Sequence, residues 1–223
     1  MLEYLKNKLR KYKRFKMLLC DIGNTSYHFF DTDTKKDYKK NTKDFEPNSV
    51  FEKVYYICVH PEIKIYLKKF ENWIDISNMI NMKQYYNTMG IDRIVALEAI
   101  QNGVIVDAGS AVTVDVKKDG IFQGGFIYAG SRVMAQTYKN ISSALDYEFN
   151  YDIDLTKLPK NSQDAISYGY LKTLYNEVIS YNEEIILTGG DAQKFLKIFP
   201  SAKVDKLLIF KGMQKIISYN TEK

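Results

Sequence analysis

No stretch of the 223-residue chain approaches the roughly 18–20 consecutive apolar residues that crossing a bilayer requires. The basic amino end is not followed by a continuous apolar segment, so no signal peptide is expected. These features, with only two cysteines, suit a soluble, cytoplasmic protein that contacts no membrane. Cys20 and Cys58 both sit inside apolar, strand-like runs and are expected to be reduced core residues. No Cys/His cluster has zinc spacing; His28 reads as a strand residue and His60 as a turn residue before Pro61. G-x-x-x-x-G-K-[ST] is missing, which disfavours a P-loop nucleotide site. A Pro/Gly/Ser linker is also missing, so the two halves of the chain are expected to pack together.

The net charge of +5 is concentrated at one end. Residues 1–16 hold seven Lys/Arg and one Glu, a balance of +6, which leaves −1 for the remainder. Leu2, Leu5, Leu9 and Tyr12 fall at helical spacing in this arm. It reads either as a basic amphipathic helix for a membrane surface or nucleic acid, or as a solvated extension ahead of a domain starting at Met17. Without the arm nothing argues for nucleic acid, and the eighteen tyrosines lack the spacing of a stacking platform. The Lys runs at 35–40 and 117–118 read as solvated turns. A chain of this length buries roughly 70% of its unfolded surface.

What the sequence does contain is centred on Gly103–Asp115, GVIVDAGSAVTVD. The stretch reads as a buried strand (Gly103–Val106), a sharp turn (Asp107-Ala-Gly-Ser110) and a second strand from Ala111. Asp107 and Asp115 bracket the turn, and Gly109 is expected to permit a close backbone approach. The pattern recurs near the amino end, where Met17–Cys20 leads into Asp21-Ile-Gly-Asn-Thr25 and another strand, 86 positions upstream. Two strand–D-x-G–strand units predict a duplicated fold with the two turns facing each other across a cleft.

The remaining periodicity fills in that plan. Strands are expected at Tyr27–Asp31, Lys36–Lys40 and Val54–Val59. A helix is expected over Glu62–Phe70 with Ile63, Tyr66, Leu67 and Phe70 inward, and another over Ile91–Gln101 with Ile94, Leu97 and Ala99 in the core. Asp75–Met89 reads as loop. In the carboxyl half, Ala111–Val116 and Gly120–Phe126 form a hairpin over Lys118-Asp-Gly120. A helix follows from Ser131, with Met134, Tyr138, Ile141 and Leu145 on one face, and then an acidic loop over Tyr147–Lys160. The next helix starts at Asn161/Ser162, where Asn161 and Asp164 have capping-box-like spacing, and Ile166, Tyr170, Leu174 and Val178 form its stripe. A strand over Glu184–Thr188 ends in Gly189-Gly190, before helices at Ala192–Ile198 and Asp205–Ser218. Domain boundaries are placed at 1–16 for the arm, 17–102 for the amino half and 103–223 for the carboxyl half.

The chemistry these residues can support is phosphoryl transfer. Backbone N–H groups of two glycine turns, with the side chains of Asn24, Thr25 and Ser26 on one and Ser110 on the other, are suited to β- and γ-phosphates. An aspartate beside each turn is suited to a cation or its waters. Asp92, between Gly90-Ile91 and Arg93 at a loop-to-helix junction, is suited either to general-base chemistry on an alcohol or to capping a helix beginning at Arg93. Arg93 either makes a structural salt bridge or faces a substrate.

Five ordered motifs together resemble the type III pantothenate kinases, of the actin, sugar-kinase and heat-shock chaperone superfamily. They are Asp21-Ile-Gly-Asn-Thr25, Gly90-Ile-Asp-Arg93, Asp107-Ala-Gly-Ser-Ala-Val-Thr-Val-Asp115, Gly124-Gly-Phe-Ile and Thr188-Gly-Gly-Asp191. The resemblance runs from Met17 to about Asn220. It implies an α/β fold of two duplicated ribonuclease-H-like halves, each a mixed sheet flanked by helices, with an ATP cleft between them. It further implies ATP-dependent phosphorylation of pantothenate to 4'-phosphopantothenate, the first step of coenzyme A biosynthesis, by a homodimer using Mg2+ and a monovalent cation, K+ or NH4+.

By this resemblance the ATP loop maps onto Asp21, Ile22, Gly23, Asn24, Thr25, Ser26, Tyr27 and His28, with Ser110 as a further phosphate contact and Gly189 and Gly190 beside the adenosine. Asp92 is the general base, and Gly90, Ile91, Asp92 and Arg93 contact pantothenate. Tyr85, or its neighbour Tyr86, and Ser162 are further substrate contacts, and Asp107 holds the monovalent cation. Ser110 replaces the family's commoner threonine, and Ala129-Gly130 stands where proline-glycine is usual. The alternatives are a non-catalytic accessory or regulatory protein on the same fold, and a kinase of the superfamily acting on another small alcohol.

Overall fold

In the computed structural model, residues 17–221 are described, so the basic arm lies outside them. The chain divides into two compact units. One comprises the described parts of Met1–Ile80 and Ile216–Lys223 with Gly90–Asp92; the other comprises Asn81–Met89 and Arg93–Lys215.

The first unit is built on a five-stranded sheet. β1 (Leu18–Ile22), β2 (Ser26–Asp31) and β3 (Asp37–Asn41) form an antiparallel meander, while β4 (Val54–Cys58) and β5 (Trp73–Asp75) add in parallel, in the order β3-β2-β1-β4-β5. Helix α1 (Pro61–Leu67) connects β4 to β5, with Pro61 in its first turn, where a missing N–H costs nothing. Cys20, Ile22, Tyr27, Phe29, Tyr56, Leu67 and Trp73 form the core. Its aromatic rings meet edge to face, as in Phe29–Trp73 and Tyr56–Trp73, whose centroids are 6.1 and 5.9 Å apart. Both cysteines are buried and unbridged, and burial pushes the Cys20 thiol pKa up. Of the four residues expected inward on α1, Leu67 is fully buried, but Tyr66 is 36% exposed. The helix is two turns long, and its apolar stripe is narrower than the sequence suggests.

The second unit repeats the plan strand for strand. β6 (Gly103–Ala108), β7 (Ala111–Lys118) and β8 (Ile121–Ala129) form the meander, with β9 (Ile185–Thr188) and β10 (Lys203–Val204) parallel beyond β6. Its order, β10-β9-β6-β7-β8, is the first sheet's order read in reverse with β6 in the place of β1. This is the duplication expected from the two D-x-G units. Central β6 is buried along Gly103–Val106, as its unbroken apolar run requires. The β7–β8 turn is Asp119-Gly120, both at positive φ (52° and 76°), the type I′ geometry that Asp-Gly favours.

Helices α2 (Ile91–Glu98), α3 (Ser131–Ile141), α4 (Ser162–Ser180), α5 (Ala192–Phe195) and α6 (Leu208–Thr221) complete the chain. Asn161 caps α4 by accepting from the Asp164 N–H at 2.9 Å, and the Asn161 amide donates back to the Asp164 carboxylate at 2.7 Å. Of the expected stripe, Tyr170, Leu174 and Val178 are buried in one core with residues of β6, β7 and β9, and Ile166 is buried as well. Within the second unit α6 crosses α2 where Gly212 has no side chain; a Cβ there would overlap the Val95 carbonyl.

Several boundaries differ from expectation. Asp75–Met89 is not wholly loop: β5 ends in it, and 3-10 turns occupy Ile76–Met79 and Met82–Gln84, capped by Asp75 and Asn81. The helices after Gly190 are shorter or later than their periodicity suggests, and two-residue β10 carries too little pattern to be seen.

Candidate active site

Each unit carries one aspartate–glycine turn at the end of its first strand. In the first, Asp21 and Ile22 remain in β1, where Asp21 pairs with His28 and Ile57. The turn proper is Gly23–Thr25, closed by the Gly23 N–H donating to Ser26 O at 3.0 Å. Asn24 and Thr25 are exposed, whereas Ile22 and Tyr27 are buried at 0% and 2%. Those two of the eight loop residues therefore anchor the turn in the core. Thr42 braces the turn from β3's end, its N–H donating to Thr25 O at 3.0 Å and its hydroxyl to Asn24 O at 3.4 Å. His28 lies against Asp37 at 2.8 Å. Burial lowers its pKa, and the hydrogen bond with Asp37 only partly offsets that shift.

The second turn corrects the expected boundary. Asp107 and Ala108 stay in β6, paired with Thr113 and Val112, so the turn is only Gly109-Ser110. Backbone hydrogen bonding on both edges of β6 holds Asp107 in the strand, since it also pairs with Thr188 of β9. The expected close approach at Gly109 is not there: a Cβ would meet only Ala111 O, at an ordinary 3.5 Å. The tight contacts come from other glycines. A Cβ on Gly130 would overlap the carbonyls of Gly109 and Ser110, and the Gly130 N–H donates to Ser110 O at 2.9 Å. Gly189, at φ +85°, packs directly against the Asp107 carboxylate and the Ala108 carbonyl. Asp191 then ties back through its N–H to Ala108 O at 2.9 Å. Thr188-Gly-Gly-Asp191 thus buttresses the second turn. Ser110 is exposed, and open space surrounds Gly190.

Gly90-Ile-Asp-Arg93 opens α2. The helix begins at Ile91, so Asp92 lies inside its first turn and is not the cap of a helix starting at Arg93. A carboxylate there is favoured by the helix dipole and is half-buried. Arg93 makes the salt bridge that its position allows. Its Nε and Nη2 donate to both oxygens of Asp115 at 2.9 and 2.6 Å, with the side chains 7% and 2% exposed. Burial opposes the guanidinium's charge, but the hydrogen bonds and charge of Asp115 outweigh it and hold its pKa above the ordinary value. Gly125, opposite Asp115, leaves room for the pair.

The same helix explains a second departure. Lys117, expected on a solvated turn, is 2% exposed in β7, where it donates to Leu97 O at 2.8 Å and lies 3.7 Å from Glu98. Thr113, Asp115 and Lys117 alternate with valines as an outward face would, but α2 covers that face. Burial lowers the Lys117 pKa despite Glu98.

Of the tyrosine pair, Tyr85 is buried and donates to Glu98 at 2.5 Å; burial, then that bond, raises its pKa. Tyr86 is 45% exposed and accepts from Arg93 Nη1 at 2.7 Å. Ser162 is the exposed first residue of α4, since Asn161 takes the capping role. Sequence reasoning missed the parts played by Asp115, Gly125, Gly130 and Lys117. The out-of-place charges at 115 and 117 within a valine strand were the one available signal. Among the described residues no group of three or more acidic, His or Cys side chains forms a metal cluster.

The two sheets and their shared strand order define a duplicated α/β fold, each half a mixed five-stranded sheet with helices. A Sinorhizobium meliloti structure described as a 2-dehydro-3-deoxygalactonokinase has this fold at 9% identity and a TM-score of 0.56, covering 91% of this chain and 96% of its own. The sequence model of the family described as Type III pantothenate kinase matches residues 49–183. A type III pantothenate kinase of Sulfurimonas denitrificans is 58% identical over 201 residues, 90% of this chain and 97% of that relative. One from Campylobacter jejuni is 40% identical over 206 residues, 92% and 98% of the two chains. A Campylobacter jejuni crystal structure, assigned by its description to the Baf family of transcriptional activators, matches at 37% identity and a TM-score of 0.81, covering 93% of this chain and all of its own. The chain belongs to the type III pantothenate kinase family.

Proposed function

We propose that this protein phosphorylates pantothenate at its primary hydroxyl with ATP, giving 4'-phosphopantothenate and ADP, the first step towards coenzyme A. The observation that carries this reading is the 58% identity to a type III pantothenate kinase across nine-tenths of the chain. The intact Asp21, Asp92 and Asp107 motifs support it. Asp92 takes the hydroxyl proton as the alcohol oxygen bonds to the γ-phosphorus. The bond from that phosphorus to the bridging oxygen breaks, and ADP leaves with its electron pair. Gly23, Asn24, Thr25 and Ser26, with Ser110, hold phosphate oxygens through N–H and O–H donors; Ile22 and Tyr27 support that turn from the core.

Asp21 would hold the waters of a divalent cation, which when bound would supply charge neutralisation of the phosphates. Asp107 is suited to a monovalent cation, because Gly189 presents no side chain against its carboxylate. Gly189 and Gly190 lie beside the adenosine. Gly90–Arg93, Ser162 and the Tyr85–Tyr86 pair contact pantothenate, Tyr86 offering the more exposed ring. The enzyme acts in the cytoplasm as a homodimer, with 17–102 and 103–223 as its duplicated halves.

A coupled ADP-release assay with pantothenate, run with and without potassium, tests the reading. Pantothenate-dependent turnover that rises with potassium is expected. Turnover only on another small alcohol overturns the substrate. A second reading, a regulatory protein on this fold, is favoured by the description of the Campylobacter crystal structure. No turnover on any alcohol, with ATP still bound, would select it.

A further inference from the structure

Helix α2 and strand β7 meet through two ion pairs of opposite polarity. Arg93 of α2 lies 2.6 Å from Asp115 of β7, and Glu98, further along the helix, lies 3.7 Å from Lys117, further along the strand. From Arg93 to Glu98 a helix rises about 7.5 Å, and from Asp115 to Lys117 a strand rises about 6.8 Å, so the two spacings match. A helix slid along by one pair, or reversed, would set Arg93 against Lys117 or Glu98 against Asp115. The Lys117 ammonium also donates to Leu97 O at 2.8 Å, holding the last turn of α2. These charges fix both the register and the direction of α2 on β7.

The segment before α2 closes a circuit around the two pairs. Tyr85 is buried and donates its hydroxyl to Glu98 at 2.5 Å, and Gln84 Nε2 reaches the same carboxylate oxygen at 3.3 Å. The next residue, Tyr86, accepts from Arg93 Nη1 at 2.7 Å. Phe122 of β8 lies against both tyrosine rings, with centroids 5.6 and 6.3 Å away. The circuit therefore runs from Asp115 through Arg93, Tyr86, Tyr85, Glu98 and Lys117 and returns to Asp115 along β7. Tyr86 is its one exposed member, so a shift of the others is felt at that ring.

We propose that Glu98 is a positioning residue: held by Lys117 and grasping Tyr85, it sets where the Tyr86 ring stands against the first turn of α2. This rests on the kinase reading, in which Tyr86 and Asp92 face pantothenate. Glu98 then governs pantothenate affinity without touching the substrate. The nucleotide is held by the two aspartate–glycine turns and by Gly189-Gly190, none of which belongs to the circuit, so its affinity does not depend on Glu98.

Steady-state kinetics of Tyr85→Phe and Glu98→Gln in the full chain test it, with the KM for pantothenate, the KM for ATP and the melting temperature each measured. Tyr85→Phe removes the grip on the segment but leaves every charge paired. It should raise the pantothenate KM on the order of tenfold, what a hydrogen bond to a charged group is worth, with the ATP KM unchanged. Glu98→Gln keeps an oxygen that accepts from Tyr85 but takes the counter-charge from buried Lys117. It should raise the pantothenate KM less than Tyr85→Phe does and lower the melting temperature more. A role in stability alone would rank the two variants in the same order by both measures. That ranking, an equal rise in both KM values, or an unchanged pantothenate KM in Tyr85→Phe would each overturn the proposal while the kinase reading stands. A wild type that turns over no pantothenate would overturn that reading, and the substrate role of Glu98 with it.

Discussion

Arg93 and Asp115 form a two-pronged ion pair at 2.9 and 2.6 Å, almost wholly out of solvent, that fastens the first turn of α2 to the middle of β7. Asp92 precedes Arg93 in that turn, so the pair fixes the backbone from which the proposed base projects. Removing one partner leaves a buried charge uncompensated, which costs about 3–5 kcal/mol. Asp115→Asn and Arg93→Met should each lose stability on that scale in urea unfolding. The double variant should recover part of the loss, because it leaves no orphaned charge.

Gly189 is the position where backbone and packing demand the same residue. Its φ of +85° is strained for any side chain, and a Cβ would collide with the Asp107 carboxylate. Gly189→Ala should cost at least about 1–2 kcal/mol by the backbone term alone. It should also abolish potassium activation, read as the ratio of turnover with and without the cation. Gly190→Ala, in open space, should leave stability near wild type.

The α4 cap gives a smaller, separable effect. Asn161→Ala removes the acceptor for the Asp164 N–H and should cost about 1 kcal/mol, measured as a lowered urea midpoint with unchanged slope.

How far the sequence speaks for itself differs between fold and site. The duplication was legible because Asp21-Ile-Gly and Asp107-Ala-Gly each close an apolar run, and such runs mark central strands wherever both faces are covered. The α4 cap was legible from local spacing alone. The fate of Arg93 was not, because a charge's partner is set by which helix covers which strand face. Lys117 was misjudged for the same reason: alternation along β7 predicts a wet face, and only tertiary packing shows α2 lying over it. Gly109 and Gly130 exchanged roles because a glycine's purpose depends on what approaches it.

His28 sets a pH dependence of stability. Its folded pKa lies below the ordinary 6.5, chiefly through burial, so near and below that value the unfolded chain binds more protons. Stability should therefore fall as pH drops through about 6.5, flattening once the folded histidine is itself protonated. Urea unfolding of wild type and His28→Gln between neutral and mildly acid pH checks this; the variant should show a shallower fall.

The central claim is that Asp92 takes the alcohol's proton, and steady-state ADP release by Asp92→Asn measures it most directly. A drop in kcat of about 10²–10⁴-fold is expected, with ATP affinity and melting temperature close to wild type. Turnover within a few-fold of wild type would contradict it.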